Sequence, residues 1–302
     1  MTKLLTTLAA LALSATTLSA NVYFDGSTGT SAPPATLGGY TMTAFDDDTR
    51  DLFDDVSSVA GPTGDVGFSP DLNHRSIGSG WATWSHGYTG DVYSTNGTSV
   101  TLTLPAGTRA FQFYAEPNSF ATWTMEAISS DGTSSGEIEV TGAAGAQYFG
   151  FYADGSDVIE EIVVTAESGA LGFAIGEFAI YTCPPVELSI SLNKTLLTPP
   201  NHKMVDITAT VTSSGGCGVS NPVLVSVTSN EPDNGVDDGN TVNDIDGVSA
   251  GTSDYAFRVR AERCGSCTGR IYTVTYAVTD EMGNVTEATA EISVPVGLGG
   301  LD

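Results

Sequence analysis

Ser99-Val100-Thr101-Leu102-Thr103-Leu104 and, shortly after it, Ala110-Phe111-Gln112-Phe113-Tyr114 decide the fold by their spacing. In the first stretch the apolar residues fall at every second position, which puts them on one face of a strand. The second repeats the pattern with aromatics, and Phe149-Gly150-Phe151 repeats it again. Ile159 to Thr165 and Phe173 to Ile180 read as later strands of the same unit. Such segments recur about every ten residues between Gly, Pro, Asn and Asp, and no long helical period competes with them. The pattern predicts a jelly-roll-like β-sandwich over residues 21–182.

After Cys183-Pro184-Pro185 the same grammar resumes. Val186–Ile190, Val205–Val211, Val223–Val227, Tyr255–Ala261, Arg270–Val278 and Thr286–Val294 read as strands. Six or seven strands in about 110 residues is the size of an immunoglobulin-like β-sandwich, placed at 183–296 with a short tail at 297–302. The fold class is therefore all-β.

Residues 1–20, MTKLLTTLAALALSATTLSA, have a cationic start at Lys3, an apolar stretch from Leu4 to Leu13 and a small-residue cleavage site at Leu18-Ser19-Ala20. This is the pattern of a signal peptide, too short for a membrane span. No second apolar run long enough to cross a bilayer follows, so no integral membrane segment is expected in the mature chain, and the product is secreted or held at the cell surface. Export puts Cys183, Cys217, Cys264 and Cys267 in an oxidising setting. Of the three possible pairings the spacing favours Cys183–Cys217 and Cys264–Cys267, the second closing a tight hairpin turn around Gly265-Ser266.

Thirty-six acidic residues face ten Lys and Arg, a formal charge of −26. So large a cation deficit excludes general nucleic-acid binding, which needs clustered Lys and Arg on the phosphates.

The motifs Thr198-Pro199-Pro200-Asn201-His202-Lys203-Met204, Val227-Thr228-Ser229-Asn230-Glu231-Pro232, Arg260-Ala261-Glu262-Arg263 and Tyr272 to Asn284 come in order. Together they resemble bacterial immunoglobulin-like modules of the HYR type, found in secreted and surface proteins. The resemblance spans roughly Cys183 to Val296. It implies an extracellular spacer or adhesion module and carries over no catalytic residue; Cys264 and Cys267 depart from its pattern. The first region, through Gly172-Phe173-Ala174-Ile175-Gly176-Glu177-Phe178-Ala179-Ile180, resembles jelly-roll domains of exported and carbohydrate-binding bacterial proteins.

Three groups of residues carry candidate chemistry. Trp81, Trp84, His86, Tyr88, Asp91 and Tyr93 crowd one segment, as sugar-binding aromatics and polar partners do; Glu116-Pro117-Asn118 and Trp123 are candidate neighbours. The odd separation of Trp81 and Trp84 puts them on opposite faces of a regular strand, so at least one belongs to the core. Glu231, Asp233, Asp237, Asp238, Asp244 and Asp246, interleaved with Gly and Asn, offer the hard oxygens that calcium takes, as do Asp46-Asp47-Asp48 with Asp51, Asp54 and Asp55. A solvated acidic face paired with Arg258, Arg260, Arg263 and Arg270 is the competing reading. His74 and His86 lie near Asp71 and Asp91, but their spacing matches no zinc signature. Gly265-Ser266-Cys267-Thr268-Gly269 fits a nucleophile elbow only formally, since strands flank it on both sides.

The function expected from these observations is a non-catalytic binding or adhesion protein, with extracellular glycan or protein as partner. A calcium-stabilised subunit of a self-associating extracellular assembly is the alternative, and a secreted hydrolase comes third.

Overall fold

Alternation becomes structure wherever one side of a strand finds a core. The computed structural model describes residues 21–235 and 237–296, and it is all-β, its one helix being a 3₁₀ turn at Ser168–Ala170. The signal peptide and the 297–302 tail expected from the sequence lie outside the described residues.

The principal strands of the first region are β1 (Val22–Asp25), β2 (Val66–Ile77), β3 (Asp91–Thr95), β4 (Ser99–Thr103), β5 (Thr108–Pro117) and β6 (Thr122–Ser129). β7 (Ile138–Thr141), β8 (Gln147–Ala153), β9 (Glu161–Ala166) and β10 (Phe173–Thr182) complete them. They form one curled sheet in the order β1-β8-β5-β10-β3-β2-β4-β9-β6-β7. β2 makes the turn from one half to the other: Gly67–Ser69 pair with β4, whereas Asn73–Arg75 pair with β3. Pro70, which has no N–H for a ladder, stands between the two paired stretches. The halves close on a shared core, with Phe111, Phe113, Phe149 and Phe151 from one and Leu102, Met125, Ile162 and Val164 from the other. Each such ring or branched side chain contributes about 1.5–3 kcal/mol by leaving water.

In the second region β11 (Glu187–Leu192), β12 (Met204–Ser214) and β14 (Ala256–Arg260) join one sheet, with the short strand Ile245–Asp246 at its edge. β13 (Val223–Ser229), β15 (Arg270–Thr279) and β16 (Val285–Val294) form another. Ile207, Phe257 and Val259 from the first meet Leu224, Tyr272, Val274, Tyr276 and Ile292 from the second. The strands expected from alternation match these within a few residues. Arg109, buried on β5, reaches the second region through Nη1 to Glu281 Oε1 at 2.7 Å.

Cys183 pairs with Cys217 and Cys264 with Cys267, as the spacing favours. The hairpin expected around Gly265-Ser266 is not there. β14 pairs with β12 and β15 with β13 and β16, so residues 261–269 cross between sheets and the disulfide clips a crossover loop.

The two bridges differ in what they hold. Replacing Cys183 and Cys217, 34 residues apart, by serine is expected to cost about 4 kcal/mol through chain entropy, against about 1.5 kcal/mol for Cys264 and Cys267, three apart. Urea titration of the two double variants checks this; equal losses contradict it.

Candidate functional site

All ten residues of β5 are buried, so this strand has an apolar environment on both faces. Phe111, Phe113 and Ala115 point into the core of the curled sheet. On the other face stand Gln112, Tyr114 and Glu116, roofed by the segment 77–90. Trp81 and Trp84 are the roof beams, 8% and 5% exposed, packed with Val92, Tyr114, Tyr148 and Ala174. Their indole N–H groups anchor it from opposite sides: Trp81 Nε1 donates to Glu116 Oε2 at 2.7 Å and Trp84 Nε1 to Glu177 Oε2 at 3.2 Å.

Glu177 reaches that face through a break in strand phase. Along the β5–β10 ladder Gln112 lies opposite Ala179 but Tyr114 lies opposite Gly176, so β10 carries one extra residue there. Such a bulge re-aims side chains: Phe178 enters the core, and Glu177, at φ +56°, turns to the outer face. Gly176 is needed beside it, because a Cβ there would stand 2.8 Å from the Asp91 carbonyl oxygen. His86 Nε2 meets Glu177 Oε1 at 2.8 Å, and His86 itself is at φ +39°. Two non-glycine residues in the left-handed region, bonded to each other, mark a place where packing over-determines the backbone. Ser85 Oγ lies 2.9 Å from His86 Nδ1. The Ser-His-Glu array has the composition of a nucleophilic relay, but Ser85 is 2% exposed, and a nucleophile must reach its substrate.

Between this roof and the segment 33–47 lies a cavity of about 360 Å³. Tyr88, Tyr93, Phe45 and Phe178 give it rings; Asp46, Asp47, Asp91 and Glu177 give it carboxylates; Gln112 lies on its floor. Gln112 Oε1 accepts the Tyr148 hydroxyl at 3.0 Å, and its Nε2 has no hydrogen-bond partner among the described residues. One wall is braced by a polar chain. His74, buried on β2, places Nε2 3.0 Å from Asp91 Oδ1, the Asp48 N–H donates to Asp91 Oδ2, and Tyr93 donates to Asp48 Oδ2 at 2.8 Å. The Arg50 guanidinium beside Asp48 holds its carboxyl well below the usual carboxylate range. Burial pushes the Tyr88 and Tyr93 hydroxyls up, so both remain donors.

Burial also raises the Glu177 and Glu116 carboxyls. Glu116 faces a separate cavity of about 140 Å³ with Trp81, Thr83, Pro117, Asn118 and Phe120.

A second polar assembly lies in the C-terminal region. Glu231, Asp238, Asp244 and Glu262 are each at most 8% exposed, and the first three surround Arg270, itself fully buried. Arg270 bonds Asp244 and contacts Glu231 Oε2 at 3.3 Å and Asp238 Oδ2 at 3.6 Å. Arg260 Nε bonds Asp244 Oδ1 at 3.0 Å. Burial raises the Asp244 carboxyl against the pull of Arg270. Carboxylate oxygens of Asp238, Asp244 and Glu262 lie within 4.8 Å of one another, close enough to hold a metal ion.

The residues singled out in the sequence divide on these facts. Tyr88, Asp91 and Tyr93 line the larger cavity. Trp81 and Trp84 do not form an open stacking platform: both sit in the core, because a curved roof rather than a straight strand carries them. His86 buttresses Glu177. Of the expected calcium ligands, Asp238 and Asp244 converge, whereas Glu231 bonds the Cys264 N–H and Arg270. Asp233 caps the Asn243 and Asp244 N–H groups, Asp246 pairs with Arg258, and Asp237 is exposed. Gln112, Glu177 and Glu262 were missed. For Glu177 a signal existed: the apolar series 173, 175, 178, 180 slips phase across Gly176-Glu177.

A carboxyl whose pKa is higher folded than unfolded binds its proton better in the native state. Its contribution is present below the unfolded value and fades as pH rises through the folded one. The melting temperature of the wild type minus that of Glu177→Gln is therefore expected to fall as pH rises above about 4, the ordinary glutamate range. A difference that is flat or rises with pH contradicts this. No protein-family model matches the chain, and a search of curated proteins finds no match.

Proposed function

We propose that this chain is an exported, non-catalytic binding protein of the cell surface or extracellular matrix, whose cavity between the roof and the segment 33–47 takes a glycan. In this reading the C-terminal HYR-like module spaces or displays the jelly-roll-like one, and residues 1–20 direct export. Two disulfides support an oxidising compartment. Among the described residues no helix is long and apolar enough to cross a membrane.

The observation that carries the proposal is the cavity lining. Ring faces from Tyr88 and Tyr93 suit the C–H faces of a sugar, the free amide of Gln112 donates to an oxygen, and Asp91 and Glu177 accept from hydroxyls. Small-molecule sites have this composition, apolar walls with a few convergent polar groups. No Lys or Arg lines the cavity. Uronates and sulfated sugars are therefore repelled, while neutral or amine-bearing sugars are not. Binding is preferred to hydrolysis because the raised Glu177 carboxyl of this cavity is already engaged by Trp84 Nε1 and His86 Nε2, and the raised Glu116 carboxyl faces a different cavity.

The alternative is a subunit of an extracellular filament or surface layer stabilised by calcium. The acidic assembly around Asp238, Asp244 and Glu262 favours it, and sedimentation with and without calcium decides whether copies associate.

The glycan reading is tested by calorimetric titration with neutral, glucosamine-type and uronate oligosaccharides. Neutral or amine-bearing sugars are expected to bind, and Tyr88→Ala or Gln112→Leu to weaken them about tenfold, or about 1.4 kcal/mol. No binding by any of the three classes overturns the proposal.

A further inference from the structure

Charge, burial and unsatisfied bonding coincide in the acidic assembly of the C-terminal region. Four buried carboxylates meet two guanidiniums: Arg270 pairs with Glu231, Asp238 and Asp244, Arg260 pairs with Asp244, and Glu262 has neither arginine as a partner. Glu262, fully buried, accepts from His202 Nδ1, at 2.9 Å, and from the Thr241 hydroxyl through Oε2 alone. Its Oε1 and the Oε1 of Glu231 are buried with no hydrogen-bond partner. A buried charge is tolerated when it is paired and hydrogen-bonded. Here the four carboxylates outnumber the two guanidiniums by two, and two carboxylate oxygens are left over.

We infer that Asp238, Asp244 and Glu262 form the seat of a divalent cation, calcium by the chemistry of the donors. The three carboxylates already converge within 4.8 Å, and one ion of charge +2 balances the excess. All donors at hand are hard oxygens, which calcium takes in flexible loops and completes with carbonyls and water. The seat deepens the calcium reading by naming its residues, and it is independent of the glycan cavity.

The seat joins what the backbone leaves apart. Asp238 and Asp244 lie in the loop between β13 and β14, whereas Glu262 opens the crossover from β14 to β15. A bound ion ties that loop to the crossover, which also carries the Cys264–Cys267 clip. Arg270 and Arg260 then serve as the fixed counter-charges that keep a three-carboxylate seat from repelling itself apart when no ion is bound. Asp233, Asp237 and Asp246, though close in sequence, stand outside it.

The test uses the full mature chain, stripped with EDTA and followed by thermal unfolding and calorimetric titration with calcium, magnesium and manganese. Calcium at about 100-fold over its Kd is expected to raise the unfolding midpoint of the C-terminal region by about 5–10 °C. Glu262→Gln keeps the shape and removes one buried charge. It is expected to abolish the calcium-dependent rise while leaving the metal-free midpoint unchanged or higher, whereas Asp246→Asn keeps the rise. A purely structural Glu262 would instead lower the metal-free midpoint. Terbium luminescence excited through Tyr272, whose hydroxyl bonds Arg270, gives a second measure on the wild type that needs no variant to fold; emission displaced by calcium is expected. No heat, no midpoint shift and no terbium emission would show a structural ion-pair nest only and overturn the seat. Binding of manganese but not calcium, lost in Glu262→Gln, keeps the seat and overturns the ion.

Discussion

The double burial of β5 is the constraint from which the N-terminal architecture follows. A strand with one wet face needs nothing above it, but Gln112, Tyr114 and Glu116 have been taken from water and need a cover. The segment 77–90 supplies one, and each of its indoles ends on a carboxylate because a buried N–H requires an acceptor. A roof held at isolated polar anchors cannot close over the sheet everywhere. The larger cavity is the space left where the roof, the β10 bulge and the segment 33–47 fail to meet.

That origin accounts for the cavity's character. Its floor comes from a rigid central strand, so Gln112 is positioned by two ladders, to β8 and to β10. Its rim comes from loops, where Asp46 and Asp47 are exposed and sequence is free to vary. Rigid floor and adaptable rim are the division of labour expected of a recognition site, and the His74–Asp91–Asp48 chain extends rigidity from β2 into the wall.

Alternation made the strands legible, and cysteine spacing made the disulfides legible, because both are local properties. The errors lie where side-chain direction depends on something distant. Trp81 and Trp84 would face opposite ways on a straight strand, and only the curved roof turns both inward. Glu262 sits 18 residues beyond Asp244 and outside the acidic run, so nothing in its neighbourhood marks it as acidic-loop chemistry; β14 returning beside the loop does. Glu177 was within reach, since a one-residue slip in an apolar series is what a bulge looks like in one dimension.

The placement of cations explains why a divalent ion suits the C-terminal region better than another arginine. All seven arginines already bond protein oxygens: Arg50 holds Asp48, Arg75 the Gly80 carbonyl, Arg109 Glu281, Arg258 Asp246, Arg260 and Arg270 the nest, and Arg263 the Pro295 carbonyl. Much of the remaining acid lies at the surface, where the chain's formal charge of −26 repels itself and gains from added salt. Inside the nest the problem is tighter. A guanidinium is a broad planar fork that demands space and a long stem, and one such fork, Arg270, already fills the centre. Three carboxylates drawn within 4.8 Å leave room for a point charge and little else. A small ion of double charge meets both conditions at once, neutralising what two more arginines would be needed to neutralise while adding no side chain to a closed core.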